Sequence, residues 1–174
     1  MKDRKRNRLQ FYDYSKPGYY FVTICVKEHR CAFGRIREEK VILNKAGKFA
    51  KKCWVRISQY YNNVVIDEFV VMPNHIHGIL IINESPTVGT EHCSVLVDTN
   101  KHYGLLSKIV MSYKNVVTKG LNKVGVSDFQ WQRSFYDYII RSDQVLLNVR
   151  EYIHYNPLKW ELEKNDSENF DYKW

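Results

Sequence analysis

The sequence lacks any long hydrophobic run: no stretch approaches the roughly 18–20 consecutive apolar residues that a membrane-spanning helix needs. Its N-terminus is basic and has no apolar segment behind it, which argues against a secretory signal peptide. The glycine-rich loops that bind phosphates in nucleotide-dependent enzymes are also missing. These absences exclude a membrane-spanning protein and the common ATP-dependent classes, and they predict a cytoplasmic protein.

The cysteines follow no pattern that is typical of a metal site or of a disulfide framework. They are Cys25, Cys31, Cys53 and Cys93, and no pair has the C-x-x-C spacing of zinc motifs. A disulfide scaffold is also unusual in a chain of this length. We therefore expect reduced thiols that mostly fill the core.

The sequence is rich in positive charge and in aromatic residues. Its 174 residues suit a single domain with a hydrophobic core. Lys and Arg number 27 against 19 Asp and Glu, a net charge of +8, and 13 residues are Tyr. This combination favours a phosphate-rich partner such as a nucleic acid. A basic domain without such a partner explains the charge by itself equally well.

Hydrophobic periodicity divides the chain into short strands and amphipathic helices. Runs of β-branched and aromatic residues predict strands at 19–27, 41–43, 64–72 and 75–82, and shorter extended pieces at 129–132 and 136–141. Apolar residues at helical spacing predict helices at 45–60, 105–121 and 142–155. Asn44 and Ser142 are the expected N-caps, and Pro157 is expected to end the last helix.

The chain shows no internal repeat and no linker, so residues 1–174 are expected to form one domain. A basic arm covers 1–10, a polar loop covers 83–102, and a loosely packed tail covers 161–174. Strands and helices are mixed, and Pro73-Asn74 connects two strands as a hairpin. The expected fold is α+β, an antiparallel sheet with helices packed on one or both sides.

Two histidines stand two residues apart in a predicted strand. Side chains alternate along a strand, so His75 and His77 project from one face, while Ile76 points the other way into the core. Their spacing of about 6–7 Å allows both rings to bind one divalent metal ion. A pair of hydrogen-bonded histidines on a sheet surface is the alternative interpretation.

The last predicted helix carries a tyrosine and an asparagine four residues apart. Tyr152 and Asn156 therefore lie on nearly the same helix face. A tyrosine becomes a useful nucleophile when a metal ion polarises the phosphate that it attacks, and an amide oxygen is a suitable ligand for Mg²⁺ or Mn²⁺. A packing role is the alternative, and three other tyrosines are rival nucleophiles, namely Tyr136, Tyr138 and Tyr155.

Four segments in this order resemble one family of DNA-processing enzymes. They are 12–23 (with YDY and PGYYFVT), 72–78 (MPNHIHG), 129–137 (FQWQRSFYD) and 150–160 (REYIHYNPLKW). MPNHIHG looks like the HUH motif (His, bulky hydrophobe, His) of single-tyrosine HUH transposases. The likeness is greatest to the small REP-associated tyrosine transposases and their insertion-sequence relatives, and it covers nearly the whole chain.

The resemblance implies a ferredoxin-like fold of the HUH endonuclease type and a role for each matching residue. His75 and His77 match the metal-binding histidines, and Tyr152 matches the nucleophile. Asn156 takes the place of a third polar ligand, where relatives often have Gln. The implied cofactor is Mg²⁺ or Mn²⁺, and the implied reaction cuts and rejoins single-stranded DNA through a 5′-phosphotyrosine. Relatives recognise hairpins and include both monomers and homodimers, so the oligomeric state stays open.

Basic residues beside aromatic ones are the candidate DNA contacts, because single strands bind to cationic grooves and stacking platforms. These candidates are Arg4, Arg6 and Arg8 in the arm, Lys108 and Lys114 on the second long helix, and Arg133 beside Trp131. For each of them taken singly, a solvated surface charge is the more common interpretation. His154 lies about 200° around the helix from Tyr152, which makes it a poor general base.

Two other functions compete with the transferase. A domesticated relative would bind hairpins and cut DNA weakly or not at all, but it would not need His75, His77, Tyr152 and Asn156 together. A ferredoxin-like RNA-binding domain would explain the charge and the aromatic residues but not the histidine pair.

Overall fold

The central sheet has four antiparallel strands in the order β4-β5-β1-β6. The computed structural model describes residues 12–84 and 104–165, with side chains up to 163. The strands are β1 (Gly18–Cys25), β2 (Gly34–Arg37), β3 (Lys40–Leu43), β4 (Val64–Val71), β5 (His75–Ile82) and β6 (Tyr136–Ile140). The helices are α1 (Lys45–Val55), α2 (Ile57–Tyr60), α3 (Leu105–Lys123) and α4 (Asp143–Asn165).

The sheet strands and the two helices α1 and α3 follow the β-α-β-β-α-β order of a ferredoxin-like fold. The hairpin of β2 and β3 is inserted between β1 and α1, and α4 follows the last strand. This confirms the α+β class and the antiparallel sheet with packed helices that the sequence predicts.

Helices cover the two faces of the sheet differently. On one face, α1 and α3 pack over alternate strand residues such as Tyr20, Val22 and Leu80, which form the larger core. On the other face, α4 packs over a smaller core that includes Phe21 and Ile79. The candidate histidines belong to the α4 face, so this helix decides what surrounds them.

Local signals in the sequence agree with the helix starts. The Asn44 side chain accepts a hydrogen bond from the Gly47 N–H at 2.9 Å, as expected for an N-cap. The Ser142 hydroxyl accepts one from the Val145 N–H at 3.4 Å. The helix predicted over 45–60 is divided at Arg56 into α1 and α2. No helix within 12–84 or 104–165 is long and apolar enough to cross a membrane.

The last helix does not end at Pro157, which corrects the sequence-based prediction. Pro157 lies inside α4, which continues to Asn165, so residues 161–165 of the expected tail are helical. A proline in a helix interior removes one backbone hydrogen bond and costs about 3 kcal/mol. Tertiary contacts hold the added turns: the Trp160 ring lies 5.9 Å from the His75 ring, and the Glu161 carboxylate accepts a hydrogen bond from the Glu39 N–H.

Candidate active site

The two histidines of β5 project side by side under α4. Their ring centroids are 4.3 Å apart, and His77 is only 6% exposed. Ile76 between them is fully buried in the core on the opposite face. The strand therefore presents both imidazoles to one small volume, as the alternation of side chains predicts.

A hydrogen-bonded chain fixes the orientation and the proton position of His75. The Asn74 amide nitrogen donates to the His29 carbonyl at 3.2 Å, so its oxygen faces His75. The Nδ1 atom of His75 lies 2.6 Å from that oxygen and therefore donates its proton to it. In the neutral ring this leaves the lone pair on Nε2, the atom that points away from the asparagine.

His77 is held from its Nδ1 side by the neighbouring strand. Its Nδ1 atom lies 2.8 Å from the hydroxyl oxygen of Thr23, its register partner in β1. The Phe21 ring stacks on the imidazole at a centroid distance of 5.3 Å. Nε2 of His77 therefore faces α4.

Helix α4 brings the tyrosine and the asparagine to the histidines. The Tyr152 hydroxyl lies 3.4 Å from Nε2 of His77, and Asn156, one turn later, is 6% exposed beside His75. All four side chains come from one chain, although Tyr152 is 75 residues from His77 in sequence. The rival Tyr155 is exposed and packs on His154, which is also exposed.

Burial keeps both imidazoles neutral at ordinary pH. It lowers the pKa of His75 to about 4, with a smaller decrease from His29 and an opposing contribution from the Asn156 side chain. Burial also lowers the pKa of His77 well below its usual value, and the nearby His75 adds to this. A neutral imidazole with an available lone pair is the form that binds a metal ion.

The residues present fit a divalent metal ion. Nε2 of His75 is buried and has no hydrogen-bond partner among the described residues, although an unsatisfied buried polar atom costs about 1–3 kcal/mol. No cluster of three His, Cys, Asp or Glu occurs in the described ranges, and the Asn156 side chain, which interacts with His75, is the further polar group that could supply a donor. Two imidazole nitrogens and one amide oxygen suit an ion that accepts both donor types, such as Mn²⁺.

An ion pair anchors α4 to the sheet just before Tyr152. Arg150 contacts Asp67 of β4 through Nε at 3.1 Å and Nη2 at 2.5 Å. The β4–β5 register shifts between Ile66 and Phe69, so Asp67 lies at a β-bulge. This pairing joins residues 83 apart in sequence, and no sequence pattern indicates it.

A cation that the sequence patterns did not indicate lies near the tyrosine. The Lys159 ammonium lies 5.7 Å from the centroid of the Tyr152 ring. The i, i+7 spacing of the two residues on α4 is the signal that would have found it.

Among the described residues, the predicted DNA contacts Lys108 and Lys114 of α3 lie on the side of the sheet opposite this site. Lys114 of α3 donates to the carbonyls of Gln132 and Ser134 at 2.6 and 3.2 Å, and burial lowers its pKa to about 8. Lys108 is exposed on α3, which packs on the other face of the sheet, and Arg133 is exposed before β6. Arg4, Arg6 and Arg8 lie outside the described residues, as do 85–102 of the polar loop.

Two proteins of Haemophilus influenzae are similar to this chain in sequence. No protein-family model matches the chain. An "Uncharacterized protein" of Haemophilus influenzae is 36% identical over 165 residues, which cover 92% of each chain. A "Putative REP-associated tyrosine transposase" of the same organism is 24% identical over 84% of this chain and 74% of that protein.

A solved structure has the same fold. It is described as a REP-associated tyrosine transposase bound to a REP hairpin, and it superposes with a TM-score of 0.60 at 19% identity. The superposition covers 92% of this chain and 74% of that one. The chain therefore belongs to the same family as the 36%-identical Haemophilus influenzae protein, and its fold is that of a REP-associated tyrosine transposase.

Proposed function

We propose that this protein is a metal-dependent single-stranded DNA endonuclease and strand transferase of the HUH tyrosine transposase family. The observation that carries the proposal is the 3.4 Å approach of the Tyr152 hydroxyl to Nε2 of His77 in a buried site. A structural histidine pair would not need a tyrosine hydroxyl at that atom, nor a lone pair left unsatisfied on its neighbour. The fold of a transposase and the net charge of +8 support the same function.

Each of the four residues has a distinct role in the proposed site. His75, His77 and Asn156 would hold Mg²⁺ or Mn²⁺. Such an ion supplies Lewis-acid polarisation of a phosphate oxygen. Asn74 and Thr23 keep the two imidazoles in the orientation that directs Nε2 to the metal position.

Tyr152 carries out the transfer. Its hydroxyl oxygen forms a bond to the scissile phosphorus, and the bond from phosphorus to the 3′ oxygen breaks. The phenol loses a proton and the departing 3′ oxygen gains one, which leaves a 5′-phosphotyrosine and a 3′-hydroxyl. Attack by another 3′-hydroxyl reverses the step and rejoins the strand, so no nucleotide cofactor is required.

The proposed substrate is single-stranded DNA with a hairpin. The related structure holds a REP hairpin, and the basic charge of this chain suits a polyphosphate. The competing function is a hairpin-binding protein that does not cut DNA. The transferase and the non-cutting protein differ in what they predict only for the covalent step.

The test is formation of a covalent adduct. The protein is incubated with Mn²⁺ and a labelled single-stranded hairpin from the flanks of its own gene, then analysed on a denaturing gel. An adduct is expected from the wild-type protein and from Tyr155→Phe, a control on the same helix, but not from Tyr152→Phe or His75→Ala. Tight hairpin binding without an adduct would favour the non-cutting protein. An adduct from Tyr152→Phe would assign the nucleophile to Tyr136 or Tyr138.

A further inference from the structure

Among residues 12–84 and 104–165, no helix covers part of the sheet face that carries the histidines. Helix α4 packs mainly over β4 and the β2–β3 hairpin, toward one edge of the sheet. At the opposite edge, β6 carries Tyr136 and Tyr138, and each of them is 49% exposed. We call these two side chains the tyrosine face.

The strand register places the tyrosine face next to the candidate active site. Tyr136 is the register partner of Thr23, whose hydroxyl contacts His77. Tyr138 is the partner of Phe21, which stacks on His77. Paired residues of antiparallel strands share a face, so both tyrosines lie on the histidine side, about 10 Å from the β5 backbone.

Packing does not account for these two rings. Within the described residues, neither ring takes part in an aromatic pair or a side-chain hydrogen bond. Exposed arginines flank the strand, with Arg133 before it and Arg141 directly after it. Two exposed aromatic rings between cationic residues are the combination that binds single-stranded nucleic acid.

The spacing of the two tyrosines suits a nucleobase. Residues i and i+2 of a strand are about 6.8 Å apart, which is twice the stacking distance of about 3.4 Å between bases. One base therefore fits between the two side chains, or two successive bases stack over them. Arg133 and Arg141, exposed at the two ends of β6, add positive charge that would attract the phosphates of such a strand.

We infer that the tyrosine face is a base-stacking platform that holds unpaired nucleotides of a single DNA strand beside the histidines. This inference rests on the proposed function, because it assigns the substrate's unpaired part to a surface next to the same site. It also predicts a preference for single strands, since the bases of a duplex are already stacked on each other.

The test measures binding without cleavage. Tyr152→Phe protein in EDTA is titrated with fluorescent oligo(dT), and with a duplex of the same length, in low salt. The Tyr136→Ala/Tyr138→Ala variant is expected to bind oligo(dT) roughly 10- to 100-fold more weakly, because each stacked base contributes a factor of that order. Its affinity for the duplex should change little.

Two variants serve as controls. Tyr136→Phe/Tyr138→Phe keeps both rings and is expected to recover most of the affinity for oligo(dT). Tyr60→Ala removes a more exposed tyrosine (66% exposed) from α2, on the other side of the sheet, and should leave binding unchanged. Circular dichroism confirms that each variant is folded.

Three outcomes would overturn the platform. These are unchanged oligo(dT) affinity in the alanine variant, an equal loss of duplex affinity, and a changed molecular mass on size exclusion, which would make the face a dimer contact. Adduct formation is followed in parallel in protein that retains Tyr152. If protein with intact Tyr136 and Tyr138 binds oligo(dT) but forms no adduct, only the transferase is refuted. If the Tyr136→Ala/Tyr138→Ala variant forms the adduct and binds oligo(dT) as tightly as protein with both tyrosines, only the platform is refuted.

Discussion

Each imidazole of the candidate site is oriented from its Nδ1 side, by Asn74 for His75 and by Thr23 for His77. Both contacts leave Nε2 directed toward α4. Partners of this kind set the tautomer and the ring angle of a metal ligand, and they contribute to affinity without touching the metal. The hydroxyl of Thr23 is therefore as much a part of the proposed site as the histidines are.

Replacing Thr23 with valine is expected to weaken Mn²⁺ binding about 10- to 100-fold, because the His77 ring loses the group that orients it. Isothermal titration calorimetry with Mn²⁺ measures the change. Thr118→Val, on α3 and away from the site, is the matched control. Equal Mn²⁺ affinity in the wild-type protein and in Thr23→Val would show that the hydroxyl does not orient a ligand.

At the scale of the elements, the position of α4 decides whether Tyr152 reaches the histidines. Apolar residues of α4, among them Val149 and Ile153, pack on the sheet, and Arg150 is paired with Asp67 at the bulge of β4. The Arg150 side chain is partly exposed, so the ion pair is worth little global stability. Its importance lies in fixing the rotation of α4 about its axis and its distance from the sheet.

Asp67→Asn is expected to slow adduct formation about 10- to 100-fold, since a displacement of roughly 1 Å in a reacting group has an effect of that size. The affinity for the hairpin should remain close to that of the wild type, because Asp67 is a positioning residue. The measurements are single-turnover adduct kinetics and a binding titration. Glu68→Gln removes the neighbouring exposed carboxylate as a control. A loss of hairpin affinity equal to the loss of rate would contradict the positioning role.

The other face of β5 is shaped by a close contact between Gly78 and Trp54. A Cβ atom added to Gly78 would lie 2.4 Å from Cζ2 of Trp54, a fully buried side chain of α1. The absence of a side chain at this position lets α1 pack directly against the strand that carries the histidines.

Gly78→Ala is expected to lower the free energy of unfolding by about 1–3 kcal/mol, the usual cost of overpacking a core. Thermal or urea denaturation followed by circular dichroism measures it. In a Trp54→Phe background the same substitution should cost clearly less, because the clashing atoms are gone. An equal cost in both backgrounds would attribute the effect to the backbone of β5 rather than to this contact.

At the scale of the whole molecule, one chain supplies all four residues of the proposed site. The tyrosine helix folds back over its own sheet and is held there by Arg150, Trp160 and Glu161. We expect the protein to complete its site within one chain, without exchange of α4 between subunits.

Mixing two inactive variants tests this arrangement. Tyr152→Phe and His75→Ala are each expected to form no adduct, and the mixture, after co-refolding, should form none either. A homodimer with shared sites would regain up to about a quarter of the wild-type activity, because one combination of intact helix and intact metal site would form. Restored activity in the mixture would therefore contradict the monomeric site.

The sequence by itself determined the features that depend on local periodicity. The strands of the central sheet, the main helices, the Asn44 cap and the common face of His75 and His77 all follow from spacing along the chain, whereas β2 was not predicted. The α+β class and the antiparallel hairpin follow from the order of those elements. Such features are predictable because the residues that produce them are within a few positions of one another.

The tertiary structure alone decided which distant side chains meet. The pairing of Arg150 with Asp67 and the hydrogen bonds from Lys114 to two carbonyls join residues far apart in sequence. The family resemblance implied one site for Tyr152 and His77, but the 3.4 Å approach of their atoms depends on the fold. The helix also continued through Pro157, against local preference, because its added turns pack on the sheet and the hairpin. Packing energy between elements outweighed propensity within them, and that energy exists only once the chain has folded.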